Sequence, residues 1–590
     1  MTSKSKERGM NDQEMIAMLV ERFVFAHDRR TNNRLYYVNR KTHIASPFHP
    51  TEKSSLYHQT VTMARHTINP ETHKPFELPT QQNIFGAMSQ LVTIAENRPI
   101  DLAKRSRLIG DDLWIDLGRD DGKSLLITPA GLSVQEPDEA IAWMRDDETG
   151  CMNEPVANAS IETGFDTFAG MLGQDRDTVA QLIAVGVHRI IHPNGPGSQQ
   201  PLVLIEGPSG AGKSMASLMY QDLVDPKQAR FENTAGVINP EALRMNAAAS
   251  SVLVLGNANH VDQEIWDLLC TIATGGIDSA RKHYNQEEVV RWFMDAQVVM
   301  TGISVGRIPE DVITRLVHIE LSPRARGDTE QIVWKRWDAH IDEMRTGLWL
   351  LCSRVMHMER DGSIPVDHLE GRLRDFEITL RAVDMVLGTH GETAWLSSQE
   401  GEQRLQQSDN PVFMAIVDRW DDIAGQWLTA AELYKRLKPA FAKIDSGTYG
   451  TNRYTPKSHL SLAKQLDHLL PILDAHGISM ERRQDSHRKV GEWRFQETKG
   501  FALPDNPLAQ EPNNGPFAGM GGLIRAHSRL LRGGGRSVAP TLLERSPICD
   551  VSRWMCPPWA ISVSCRRSGR LIRTAIPCCG TVSRCRWQAC

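Results

Sequence analysis

The residues best placed to do chemistry are Gly207-Pro-Ser-Gly-Ala-Gly-Lys213-Ser214. They fit the spacing G-x-x-x-x-G-K-[ST], in which each residue type has a job. Gly207, Gly210 and Gly212 let the backbone turn its N–H groups inward around phosphate oxygens, and the start of a following helix adds partial positive charge. Pro208, Ser209 and Ala211 fill the loop between them. Lys213 is spaced to reach the β- and γ-phosphates of a nucleotide, and Ser214 to ligate Mg²⁺. The competing reading is a glycine-rich turn arising by chance. An apolar strand signal just before the loop and a helical one just after it favour the nucleotide site.

Hydrolysis needs more than a cradle. A second buried strand is expected to end in an acid that helps to hold the metal, and the candidate strand is Val252-Leu-Val-Leu255. It runs into Gly256 and Asn257, where an Asp is expected at 256. Asn257 and Asn259 can form hydrogen bonds but carry no charge, so they do not replace a carboxylate's pull on Mg²⁺. Asp262 and Glu264 follow on a helix and could compensate through water, although solvent-facing acids are the blander reading. Three outcomes stay open: weak hydrolysis, binding without turnover, or an acid that arrives from elsewhere. Gln297-Val-Val-Met-Thr301 reads as a further buried strand, with Thr301 at its end to sense the γ-phosphate. Arg315 stands where a helix end runs into the strand Leu316–Leu321, a place suited to an arginine finger acting on a neighbouring subunit; in isolation a surface Arg paired with an acid is the better reading, and the cradle and strand order favour the finger.

These groups must be positioned by an α/β fold. Helices are expected over Met15–Val24, Ile84–Ala95, Phe165–Ile191, Asp328–Met358 and His368–Leu387 from apolar spacing. Asp112–Leu117 and Leu125–Thr128 read as a hairpin; Asp112 and Asp116 on it resemble the metal-binding acids of a primase, but strand-edge acids on a solvated face are the preferred reading. Asp146–Ser160 and Ser397–Pro411 read as linkers. Thr429-Ala-Ala-Glu432 is a capping box that opens a helix. A second helix over Pro456–Leu473 and a hairpin from Ile478–Arg482 and Val490–Phe495 then give a winged-helix order.

Together, Gly207–Ser214, Leu255-Gly-Asn-Ala-Asn259, Leu268–Gly276, Arg281-Lys-His-Tyr284, Thr301-Gly-Ile303, Thr314-Arg-Leu316 and Arg372-Leu-Arg-Asp-Phe376 resemble the AAA+ ATPases of phage, plasmid and integrated-element replication proteins, the primase-helicase type related to helicase superfamily 3. The resemblance covers most of residues 100–495. That family usually reads Leu-Asp-Asn where this chain has Leu255-Gly256-Asn257, and often Asn at the position of Thr301. It implies a P-loop NTPase core with a helical lid, an α+β N-terminal region and a C-terminal winged-helix-like domain. The boundaries are 1–150 for the N-terminal domain, 160–326 for the core, 327–396 for the lid, 412–496 for the winged-helix-like domain, and 497–590 for a linker and disordered Arg/Cys-rich tail.

The resemblance also assigns roles. ATP and Mg²⁺ are the cofactors, with Ser214 the metal ligand. Lys213, Thr301 and Arg315, the last in trans, are catalytic, and Arg372 is a lid arginine touching ATP in cis. A trans arginine implies a homo-oligomer, a hexameric ring. The segment Gly275–Asp295 forms a hairpin that points into the ring, with Lys282 and His283 on DNA; an ordinary solvated loop is the competing reading. Lys457, Arg482, Arg483, Arg488 and Lys489 of the winged unit are further DNA-contact candidates, set against a winged helix that serves protein contacts only. The implied function is an ATP-hydrolysing ring motor, helicase- or translocase-like, in the replication of a mobile element, with a primase as a possible partner. The alternatives are a nucleotide-gated DNA-binding or regulatory protein with weak or no hydrolysis, and a P-loop phosphotransferase.

Composition bounds these readings. The chain has 590 residues, 41% hydrophobic and 24% charged, enough for several packed cores. No apolar run reaches the length of a membrane span, and the start of the chain lacks a signal-peptide pattern, so a cytoplasmic protein is expected. The net charge of −5 hides a split. Residues 521–590 hold twelve Arg, no Lys and two acids, which makes that tail +10 and the remaining chain −15. An acidic body argues against coating by nucleic acid and leaves room for a local basic groove. Cys151, Cys270 and Cys352 are scattered, while seven of the ten cysteines crowd the last 42 residues without a CxxC spacing. Arg without Lys, interleaved with Cys, Trp and Pro, has the look of GC-rich DNA read in a shifted frame.

Overall fold

The computed structural model describes residues 8–30, 34–51, 53–193, 198–234, 239–259, 261–281, 289–303, 308–322, 328–408, 410–446, 455–466, 469–484 and 491–498, with 566–567 and 570–571 beyond them. The chain divides into two units, Met1–Pro512 and Asn513–Cys590. Of the second, the described residues are two short antiparallel strands, Arg566–Arg567 and Arg570–Leu571. The expectation for 497–590 otherwise lies outside the described residues.

The fold is mixed α/β. Its centre is a four-stranded parallel sheet in the order Val252–Leu255, Gln297–Gly302, Leu202–Glu206, Leu316–Glu320. These strands are near-continuous Val, Leu and Ile because both faces are covered. Alternation then sorts each strand between two cores. Val203, Ile205, Val254, Val299, Val317 and Ile319 join one cluster with the Arg176–Ile191, Lys213–Val224, Glu330–Asp361 and Arg374–Leu387 helices. Leu202, Leu204, Leu253, Leu255, Val298 and Met300 join the other with the Pro240–Ala249 and Gln263–Ala273 helices. Outside the Val252–Leu255 strand runs a short irregular segment. Asn233 N–H donates to Val254 O (3.0 Å), and Gly256 N–H donates to Asn233 O (3.2 Å), so residues 232–234 continue the sheet by one edge.

The N-terminal region has two sheets. One, in the order Pro99–Ile100, Phe23–Asp28, Leu35–Asn39, Ile44–Pro47, Trp143–Met144, carries the Asp12–Arg22 and Gln81–Glu96 helices on a core of Met15, Leu19, Phe23, Ile84, Met88 and Leu91. The first helix ends earlier than its apolar spacing predicts, because Phe23 and Val24 already belong to a strand. The other sheet is an antiparallel meander over Ser106–Gln135. Its Leu113, Ile115, Leu125 and Ile127 share the large core of the parallel sheet, so the packing is continuous across the boundary expected at residue 150. Asp112 is exposed as expected, but Asp116 is fully buried. Its carboxylate accepts from Arg145 Nε (2.7 Å) and Nη2 (2.6 Å) and from Gly118 N–H, which corrects its reading as a solvated acid.

Other differences have local causes. The helical stretch Phe165–Ile191 is two helices, Ile161–Leu172 and Arg176–Ile191, because Gly173 adopts a left-handed cap (φ 64°) and Asp175 caps the second helix through Thr178 N–H. The expected linker Ser397–Pro411 is instead helical over 397–408, as the second half of a helix Gly391–Ser408. Its start is tied down by the Asp384 carboxylate, which accepts from Gly391 and Glu392 N–H. The last part of the first unit runs helix Pro411–Asp418, strand Leu428–Thr429, helix Ala430–Ser446, short helices His459–Leu466 and Leu470–Ala475, then the hairpin Ile478–Gln484/Gly491–Glu497. The Thr429/Glu432 capping box is formed in both directions. Phe413, Leu433, Leu437, Leu466, Trp493 and Phe495 make a separate core there.

Candidate nucleotide-binding site

The loop 207–212 leaves the carboxyl end of the Leu202–Glu206 strand and enters the Lys213–Val224 helix. All three of its glycines have positive φ, Gly210 at 81°. Gly212, the residue before the helix, has φ 89°, and a Cβ on Gly207 (φ 151°) would lie 2.6 Å from Leu321 O. The loop opens on a cleft of about 360 Å³ lined by Ser209, Gly210, Gly212, Lys213, Ser214, Asn257, Thr301 and Glu330. Lys213 Nζ donates to Gly207 O (2.8 Å) and Pro208 O (2.9 Å), folded back along the loop. Burial lowers the pKa of its ammonium below the ordinary value, opposed by the neighbouring Glu232 and Glu206.

Beside the loop, three hydroxyls converge on one carboxylate. Ser214 Oγ donates to Glu232 Oε2 (2.9 Å), while Ser217 Oγ (3.1 Å) and Thr301 Oγ1 (2.9 Å) donate to Glu232 Oε1. Thr301 is 3% exposed at the end of its strand and faces the loop, as its position in the sequence implies. Asp262 and Glu264 are exposed and do not line the cleft; Glu264 lies 3.9 Å from Arg244. Sequence reasoning missed Glu232. It lies on Phe231-Glu-Asn233, too short and polar to read as a strand, and the one signal was indirect: a glycine at 256 where an acid was due.

Arg315 and Arg372 are elsewhere. Both sit at the amino end of the parallel sheet, roughly 15 Å along the strands from the loop. Arg315 is 8% exposed; its Nη1 donates to Asp311 O (2.6 Å) and lies 3.5 Å from Cys270 Sγ. In this conformation its guanidinium is folded against its own chain, on Asp311 and Cys270. Arg372 is exposed and donates to Thr314 Oγ1 (3.3 Å), so it does not touch the cleft of its own chain as a lid arginine would. The connector that carries it leads from the end of the long Glu330–Asp361 helix back to the amino end of the sheet.

Among the DNA-contact candidates, Lys282, His283, Arg488 and Lys489 lie outside the described residues. Their two hairpins are described on either side, as Ile277–Arg281/Val289–Phe293 and as the C-terminal pair. Lys457 is exposed. Arg482 lies over the Trp493 ring (5.3 Å). Arg483 lies over Trp427 (4.2 Å) and pairs with Glu492 (2.8 Å), so part of its charge is already answered within the chain.

Residues 172–400 match the family described as the actinomycete integrative conjugative element replication protein. That segment runs from the helices before the loop through the long helices after the sheet. Among solved structures, the chain is similar to one described as the active helicase Cch of SCCmec type IV, at 10% identity and TM-score 0.42, covering 79% of this chain and 90% of that one. It is also similar to the apo C-terminal region of NrS-1, at 8% identity and TM-score 0.36, covering 82% and 100%. No curated protein sequence matches the chain. Among the described residues, no helix is long and apolar enough to cross a membrane.

Proposed function

We propose that this chain is an ATP-binding replication protein of a mobile element, a P-loop NTPase of the AAA+ kind that hydrolyses ATP to move on or remodel DNA. One observation carries the reading. A glycine loop at the carboxyl end of a buried parallel strand leads into a helix whose first residues, Lys213 and Ser214, border an open polar cleft. The likeness of residues 172–400 to replication proteins of integrative conjugative elements supports the biological setting. The helix–helix–hairpin order after residue 411 supports a winged-helix-like module at the end of the first unit.

The donors beside the loop are Ser214 Oγ, Thr301 Oγ1 and the Glu232 carboxylate, all oxygens, a set that suits a hard cation such as Mg²⁺. Ser214 would hold it, and when bound with ATP it would supply charge neutralisation between the β- and γ-phosphates. The chain's own groups do the rest. Main-chain N–H groups of 209–214 bind the phosphates. Lys213 exchanges the carbonyls of Gly207 and Pro208 for phosphate oxygens, and Thr301 orients the far end of the triphosphate. In a ring of subunits, the guanidinium offered to a neighbour from the amino end of the sheet is that of Arg372, with Arg315 fixed on Asp311 behind it. DNA contacts fall to the Ile277–Phe293 hairpin and to Lys457 and Arg482.

Turnover of ATP by the full chain, with and without single-stranded DNA, tests this. Hydrolysis stimulated by DNA and absent in Lys213→Ala supports the motor. Tight ATP binding with no turnover supports the second reading, a nucleotide-gated switch, which the inward-turned Arg315 favours. Failure of the full chain to bind ATP contradicts both.

A further inference from the structure

We propose that Glu232 supplies the metal-site carboxylate that Gly256 lacks, an inference that rests on the nucleotide-site reading above. The two positions are complementary. A Cβ built on Gly256 would lie 2.7 Å from Glu232 Oε2 and 2.8 Å from Glu232 Cβ. An acid at 256 and the acid at 232 therefore compete for one volume, and this chain fills it from the neighbouring edge segment. The backbone fixes the substitution, since Asn233 is hydrogen-bonded on both sides to Val254 and Gly256. The side chain is fixed too. Three hydroxyls donate to it, and one of them is Ser214, the residue the loop offers to a cation.

The chemistry agrees with that role. Mg²⁺ in phosphate sites takes one or two carboxylates and completes its shell with water and phosphate oxygens, so a single well-placed Glu suffices. Among the described residues, no Lys, Arg or His comes within ion-pair distance of the Glu232 carboxylate, whose field acts on the Lys213 ammonium beside the cleft. A purely structural Glu232 would merely tie Ser214, Ser217 and Thr301 together. A catalytic-base Glu232 would act on water and leave metal affinity alone. The three roles differ in what they do to binding, before any turnover.

The test is a titration of the full chain with a fluorescent ATP analogue, in EDTA and in Mg²⁺. The wild type binds more tightly with Mg²⁺, and Glu232→Gln, which keeps the shape and can still accept hydrogen bonds, loses that gain by roughly 10-fold or more while keeping its affinity in EDTA. Gly256→Asp alone crowds two carboxylates into one site and also loses the gain. The double variant Glu232→Ala/Gly256→Asp regains it, because one carboxylate again stands beside Ser214. A Glu232→Gln protein that keeps the full Mg²⁺ gain overturns the proposal, whether or not its turnover falls. A double variant no better than Glu232→Ala, with an unchanged melting temperature, also overturns it. A wild type that binds no analogue in either buffer strikes the nucleotide reading itself, which separates the two failures.

Discussion

The two ends of the parallel sheet are built in opposite ways. At the carboxyl end, glycines and hydroxyls line a cleft open to solvent, Glu232 is hydrogen-bonded to two of those hydroxyls, and Lys213 rests on loop carbonyls that a ligand can replace. At the amino end, charges are sealed inside. Arg105 pairs with Asp225 (2.8 Å), whose other oxygen accepts from Ser251 and Val252 N–H at the start of a strand. Lys104 pairs with Asp295 just before the next strand, Arg189 donates to Ser251 Oγ (3.1 Å), and Arg315 is held on Asp311. The same element type thus carries a replaceable polar network at one end and a fixed one at the other. Charge serves binding where water can enter, and serves registration of strands where it cannot. The fixed end also joins the N-terminal region, through Lys104 and Arg105, to the sheet that bears the loop.

That contrast can be broken most severely at the sealed end. Arg105→Ala leaves the buried Asp225 with Lys227 (3.7 Å) as its one remaining cation and is expected to cost roughly 3 kcal/mol of stability, read from urea denaturation. At the open end, Lys213→Ala is expected to cost about 3 kcal/mol of ATP binding, on the order of 100-fold in Kd, with the denaturation midpoint unchanged. Acid sharpens the distinction. Burial alone would raise the Asp225 pKa, but Lys227, Arg105 and the Val252 N–H hold it down to about 2, below its ordinary 3.8. Between those values the unfolded chain binds more protons than the folded one, so this contribution is complete above about pH 4 and lost as pH falls towards 2. Asp225→Asn should flatten that part of the stability–pH curve. The smallest effect belongs to Arg372→Ala. An exposed side chain with one long hydrogen bond should change stability by no more than about 0.5 kcal/mol and leave ATP affinity intact. A drop in turnover alone, rescued by mixing with Lys213→Ala subunits that still present Arg372, would place it on a neighbour's nucleotide.

The open end was largely legible because its chemistry is local. Gly207–Ser214 needs a strand before it and a helix after it, and both are visible as apolar spacing within about fifteen residues. The Thr429/Glu432 cap was readable for the same reason. What could not be read depends on contacts distant in sequence. Glu232 reaches Ser214 only because an irregular segment lies along the edge of the Val252–Leu255 strand. Arg372 looked like a lid residue in cis because the path of its connector is not written in its motif. Asp116 looked solvated because nothing near it in sequence announces Arg145 as its cover. The interruption at Gly173 had a signal, a glycine followed by Asp175 as a cap, inside a stretch that apolar spacing alone had joined.

Hydrogen exchange of the full chain, with and without ATP and Mg²⁺, reads directly the main-chain amides of the 207–214 loop, which are expected to grip a triphosphate. Exchange at 209–214 is expected to slow on adding ATP, and this protection is expected to vanish in Lys213→Ala. Bound ATP that leaves those amides unchanged while protecting another segment would contradict it.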